Sequence, residues 1–369
     1  MPRIVPHRSA EPDRRRDAMR RLGELVVRRR WWVLTAGVVG FVLSGVIAAG
    51  TLDSLVLSRW QSPGSESMRA AEVLEKQFGT GSANLMVLVT VRQGTVDSPA
   101  VAAAGRALTV ELAGRQEVAE ATSYWTSGSD PLLRSQDGTK ALLVGRVPGS
   151  ATDARGMLGE LAPAFSRSTD LLRVEVSGRE EVSRQISAQA GQDFVRVEAI
   201  VFPLVLVLLL LLLRGVVPAL LTLGVGAFAM VGTLAALRIT AQVTEVATFA
   251  MNLTLALGLG LGVDYCLFIL SRLREEVAAG RTRQEAIVQA VATSGRTILF
   301  SGVTVAISLL GLLLFPFPFL RSFAFAGFFV VLFAMLGAVL LLPAMLAVTR
   351  RAGTRAALAR SSPLWHGIA

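Results

Sequence analysis

The chain has 369 residues, 52% of them hydrophobic, yet it carries a formal net charge of +10. That balance fits a membrane protein with basic ends and speaks against a nucleic-acid binder, because no DNA- or RNA-reading motif accompanies the charge. A single cysteine, Cys266, excludes an internal disulfide framework, and histidines confined to the tails, His7 and His366, exclude a His-based triad or zinc cluster.

Residues 1–30 are polar and Arg-rich, with Arg14-Arg15-Arg16, Arg20-Arg21 and Arg28-Arg29-Arg30. They read as an unstructured basic tail that forms at most an amphipathic turn near lipid, and that holds its end of the chain in the cytoplasm. Residues 31–50, Trp31 to Gly50, supply an apolar run of about 20 residues, enough to cross a bilayer of roughly 30 Å. Trp31 and Trp32 stand at its start, where indoles favour the interface. A cleaved signal peptide is the competing reading, but the charged lead is too long and the apolar run exceeds the usual ~7–15 residues.

Residues 51–193 contain no spanning segment and read as one inserted domain. A helix around Glu66–Phe78 precedes a strand at Asn84–Val91 and a helix at Pro99–Ala113. A short strand near Val118–Ser123, a turn at Asp137-Gly138, a strand at Lys140–Val147 and a helix at Thr152–Phe165 follow. In the last strand Leu172, Val174 and Val176 alternate with Arg173 and Glu175, the period of a half-buried strand. The order βαββαβ is the ferredoxin-like arrangement. Its apolar positions read as a core, and no catalytic constellation is visible.

Phe194–Leu213 is the second span, ending at Arg214, and Val216–Leu237 is the third, so close behind that the two must form a helical hairpin. Val246–Leu270 is the fourth, with Arg238, Gln242 and Glu245 at its outer edge. Residues 271–296 are charged and helical in pattern, an amphipathic cytoplasmic loop in which Thr282 and Glu285 have the capping-box spacing that starts a short surface helix. Ile298–Phe315 and Phe323–Val348 are the fifth and sixth spans, separated by Pro316-Phe317-Pro318. The tail, residues 349–369, returns to Arg350, Arg351, Arg355 and Arg360. Arg272, Arg274, Arg281, Arg283 and Arg296 all fall on the side of both termini, against Arg238 and Arg321 on the other. The positive-inside rule therefore expects both termini in the cytoplasm and the inserted domain outside it.

One acid stands out. Asp264 lies inside the fourth apolar segment, where a charged side chain costs at least about 2.5–3.5 kcal/mol. A carboxyl in a low dielectric can load and release a proton, so such a residue is a functional group by default. A purely structural pairing with a neighbouring helix is the alternative. Gly258, Gly260 and Gly262 precede it and would let helix backbones approach closely. Ser301, Asn252 and Thr254 are candidate polar neighbours, with ordinary interhelical hydrogen bonds as their competing role. No second Asp lies in any span, which argues against an intramembrane aspartyl protease. No Gly-x-x-x-x-Gly-Lys-Ser/Thr sequence occurs, so ATP is not the expected energy source.

The run Gly-Leu-Gly-Leu-Gly-Val-Asp-Tyr at 258–265, followed by Phe268, Ser271-Arg272 and Arg274-Glu275-Glu276, resembles the fourth transmembrane helix of the MmpL branch of the RND (resistance-nodulation-division) exporters. The likeness extends over essentially the whole chain, which corresponds to the N-terminal half of such a molecule. It implies a polytopic α-helical membrane protein of six transmembrane helices with an extracytoplasmic porter-type domain, resident in a bacterial cytoplasmic membrane. It also implies proton-driven export of lipids or other amphipathic compounds, with Asp264 and Tyr265 as the proton relay. Protons would be the coupling ion, and no cofactor is implied. The family builds its relay from two halves, so a second half-transporter chain or a homo-oligomer is the expected partner. A non-transporting scaffold or truncated half remains the other reading.

Overall fold

The computed structural model describes residues 11–55, 64–78, 81, 83–149 and 151–349. His7, His366, Arg350, Arg351, Arg355 and Arg360 lie outside the described residues. Two compact units divide the chain: Arg59–Asp193, and Met1–Ser58 together with Phe194–Ala369.

In the smaller unit, helix α4 (Glu66–Phe78) precedes strand β1 (Leu85–Val91), helix α5 (Pro99–Ala113), strands β2 (Glu120–Ser123) and β3 (Lys140–Arg146), helix α6 (Ala151–Phe165) and strand β4 (Leu172–Ser177). The strands form one antiparallel sheet in the order β2-β3-β1-β4, the ferredoxin-like topology. Alternation decides which face is buried. Leu85, Val87 and Val89 of β1, Leu143 of β3 and Val174 of β4 point inward with Leu108 and Leu112 of α5 and Leu158 and Phe165 of α6. Each such side chain stabilises the unit by about 1.5–3 kcal/mol relative to exposure.

The larger unit holds the remaining helices: α1 (Glu11–Arg28), α2 (Arg30–Ala48), the single turn α3 (Thr51–Ser54), and the membrane part of α7 (Arg179–Leu213). These are joined by α8 (Val216–Thr240), α9 (Phe249–Ala278), α10 (Arg283–Ala290), α11 (Arg296–Leu310), α12 (Pro318–Leu336) and α13 (Leu342–Val348). Six helical segments among the described residues are long and apolar enough to cross a membrane. The protein is thus a polytopic helical membrane protein with an inserted α+β domain. Its core is the triplet α8, α9 and α12, closed by Val225, Ala229, Cys266, Ile269, Val330 and Ala334.

The structure departs from the sequence reading in four places. First, residues 11–28 are helix rather than loose tail. Met19, Gly23, Val26 and Val27 are buried at helical spacing, and a Cβ on Gly23 would sit 3.3 Å from the Val288 backbone, so α1 docks closely on α10. Second, α7 begins at Arg179, so the helix of the second span starts well before Phe194. Third, α9 runs on to Ala278 because Arg272 pairs along the helix with Glu275 at 2.7 Å and Glu276 at 2.6 Å. Gly280, at φ +88°, then reverses the chain. Fourth, the capping box at Thr282 and Glu285 forms as expected, but α10 does not stop as a surface helix. It continues through a π-helical stretch, Val291–Gly295, into α11. A second π-helical stretch, Gly337–Leu341, precedes Pro343, whose ring cannot fit an unwidened helix against the carbonyl four residues back.

The tight connection between α7 and α8 is made by Arg214, at φ +51°, and Gly215. It forms the hairpin that the short spacing requires.

Candidate functional site

Asp264 falls at the midpoint of α9, in a stretch whose nearest charged neighbours along the chain are Glu245 and Arg272. The helix is anchored behind it. A Cβ on Gly262 would lie 2.7 Å from Gly226 Cα of α8, and one on Gly258 would lie 2.6 Å from Met230 Cγ. These glycines let α8 and α9 cross with their backbones nearly touching.

Asp264 itself is not enclosed. Asn252, Ala256, Gly260, Asp264 and Phe268 recur every four residues along α9, and all are exposed. Gly260 belongs to this stripe and has nothing within 4 Å of an added Cβ, so it does not serve close packing inside this chain. The reason is angular: two residues on from Gly258, the helix has turned about 200° and points away from α8. The sequence places the acid amid apolar neighbours, whereas the fold turns it onto an open face. Among the described residues no hydrogen bond or ion pair reaches its carboxylate.

The next residue, about 100° further round the helix, points inward. Tyr265 is buried in the core, and its Oη is enclosed without a hydrogen bond. The Ser301 hydroxyl of α11 lies near it without making a hydrogen bond. Ser301 is exposed, as are Thr304 and Ser308, three and seven residues on along the same face of α11. Thr254 is taken out of contention: it is buried and donates to the Ala250 carbonyl of its own helix at 3.0 Å. Asn252 lies on the open stripe, three helical turns from Asp264. The structure therefore sets Tyr265 near Ser301 and Asp264 on the adjoining open face of α9, and leaves Asn252 and Thr254 apart from them.

Sequence reasoning passes over Glu198. It lies in the second span, and its Oε2 is buried without a hydrogen-bond partner. The signal was present, since it is the single acid between Phe194 and Leu213.

Residues 59–369 match the MMPL family. The chain belongs to the MMPL family. Its MMPL relatives include a putative membrane protein of Streptomyces coelicolor, 38% identical over 83% of this chain and 43% of the relative. The trehalose monomycolate exporter MmpL3 of Mycobacterium tuberculosis is 30% identical over 86% of this chain and 35% of its own length. The heme uptake protein MmpL11 of the same species is 28% identical over 91% and 35% respectively. This chain thus spans less than half the length of the relatives it matches. MMPL membership, the apolar spans and the inserted α+β domain agree.

Proposed function

We propose that this chain is one half of a proton-driven exporter of lipids or other amphipathic compounds, not an enzyme, and that it works in a bacterial cytoplasmic membrane with both termini inside. What carries the reading is the placement of Asp264: a carboxyl at mid-helix, on a face the described chain leaves open, beside a buried phenol that lacks a partner. In hydrocarbon such a face costs several kcal/mol unless something polar covers it. A second set of helices, from another half-transporter chain or a second copy, would both cover the acid and supply a partner for it. That one relative is named a trehalose monomycolate exporter supports an amphipathic, lipid-like substrate class.

The coupling follows from elementary energetics. A proton crossing a potential of ~150 mV releases about 3.5 kcal/mol, enough to shift a two-state equilibrium by more than about a hundredfold. Neutral Asp264 tolerates an apolar interface between halves, whereas charged Asp264 needs a hydrogen-bonding partner such as Tyr265 Oη. Loading and unloading the proton therefore changes which packing of α9 is favoured, and the inserted domain converts that change into substrate release. Gly260, with open space before it, lets the covering helix come close to the acid.

The test is lipid export in a strain lacking this gene, complemented with the wild-type chain, with and without a protonophore. Export restored by the chain and stopped by the protonophore is the expected outcome. Restored export that ignores the protonophore would remove proton coupling, and no change in export on deletion would favour a scaffold.

A further inference from the structure

A cleft lies at the basic end of the bundle, on residues that the transport reading does not use. About 740 Å³ in volume, it opens between the last turns of α1, the start of α2 and the α9–α10 connection. That volume is within the roughly 300–1,000 Å³ range of small-ligand sites. Four guanidinium groups line it, Arg20, Arg28, Arg30 and Arg281, against two carboxylates, Glu24 and Glu285.

Both carboxylates are already engaged. Glu24 accepts from Arg20 at 3.2 Å, and Glu285 accepts from the backbone N–H and the hydroxyl of Thr282 in the capping box. Arg281 is paired with Glu276 at 3.0 Å. Arg28 and Arg30 have no carboxylate partner among the described residues and face the cleft uncompensated. The floor is apolar, from Val27 and Val288, and Trp31 stands at the edge, 63% exposed.

The wall continues into membrane. From Trp31, positions 38, 42 and 46 fall on the same face of α2, and Val38, Val42 and Val46 are 63%, 56% and 70% exposed. An excess of cations, an indole at the interface and an apolar track leading away along a spanning helix form one continuous surface. Its ends match the two ends of a single kind of molecule.

We propose that this cleft binds the phosphate headgroup of an anionic phospholipid, with the acyl chains lying along the Trp31–Val46 face of α2. Arg28 and Arg30 supply the bidentate donors for the phosphate, and Trp31 packs on the glycerol region. Because α1 lines the cleft and also packs on α10, an occupied site ties the amphipathic α1 to the lipid leaflet and to the helix that leads into the fifth span. The inference requires only that the chain sits in a membrane, so failure of proton coupling would leave it untouched.

The experiment is lipid binding to the purified full chain in neutral detergent, with phosphatidylglycerol, phosphatidylcholine and inorganic phosphate as separate probes. Phosphatidylglycerol is expected to bind and phosphatidylcholine to bind much more weakly. Arg28→Gln or Arg30→Gln is expected to weaken phosphatidylglycerol roughly fivefold each, and the double variant roughly thirtyfold. Arg214→Gln, away from the cleft, is expected to leave it unchanged. A salt titration of the wild-type chain needs no variant, and affinity should fall as ionic strength rises. Phosphatidylglycerol affinity equal in wild type and double variant, or indifferent to salt, would overturn the assignment. Inorganic phosphate displacing the lipid at equal concentration would also overturn it, since the site would then take a free anion.

Discussion

Asp264→Asn is expected to reduce export to the level of a strain lacking the gene, while the amount of protein in the membrane stays the same or rises. Asn keeps the size and hydrogen-bonding capacity of the side chain but cannot exchange a proton. If the free energy of about 3.5 kcal/mol per proton drives the cycle, its loss removes more than about two orders of magnitude of bias between the two packings. The fold should not suffer, because Asp264 makes no hydrogen bond or ion pair among the described residues. Removing a charge from a spanning helix also lowers the cost of insertion. Asp264→Glu, which keeps the carboxyl, should retain partial export. Export by the Asn variant at the wild-type rate, at matched abundance, would exclude the acid from the cycle.

Gly262→Leu is expected to cost folded stability even though it adds apolar bulk to an apolar helix. A single Cβ there would already stand 2.7 Å from Gly226 Cα and 3.0 Å from Gly226 N, and backbone cannot step aside as a side chain can. Overpacking of this kind costs about 1–3 kcal/mol, and the upper part of that range applies when α8 and α9 must separate along their length. Gly260→Leu serves as the contrast, since an added Cβ there meets nothing within 4 Å. Thermal unfolding of the two purified variants should show a clear drop in midpoint for Gly262→Leu and almost none for Gly260→Leu. Yet Gly260→Leu should still block export if another set of helices closes over the Asp264 face. Equal stability of both variants would mean that the α8–α9 crossing does not depend on contact between the two glycines.

The ferredoxin-like order of the inserted domain was legible because strand alternation is local: Leu172, Val174 and Val176 announce their face without help from the rest of the chain. The spans were legible for a similar reason, since hydrocarbon thickness sets a length that an apolar run either reaches or does not. Where expectation and structure part, a neighbour decides. The basic start of the chain looks too polar to fold, but Met19 and Val27 join the core of the helical unit, and α1 packs on α10 and the π-helical stretch after it, a surface that a reading of residues 1–30 alone does not contain. The charged stretch after Leu270 reads as helical in pattern but outside the fourth span, and pairing of Arg272 with Glu275 and Glu276 makes it one helix with that span as far as Ala278.

The site itself was half legible. An acid inside an apolar helix singles out Asp264 as a candidate, and resemblance adds Tyr265, but the turn of about 100° between neighbouring residues puts one on an open face and the other in the core. The glycines divide in the same way, Gly258 and Gly262 toward α8 and Gly260 outward. Thr254 carries a hydroxyl that composition cannot distinguish from a relay group, and only its bond to Ala250 assigns it to its own helix. Glu198 is less conspicuous than Asp264 because Arg196 and Asp193 stand close by at the start of the second span, where a charged residue reads as interfacial.

The most direct measurement is proton flux into liposomes that contain the assembled transporter, read by a trapped pH-sensitive dye after a pH gradient is imposed with lipid substrate present. If Asp264 carries protons, the gradient should decay through the wild-type assembly and persist with Asp264→Asn at the same protein density. Equal decay through both would contradict that role and leave the spanning helices with no identified path for a coupling ion.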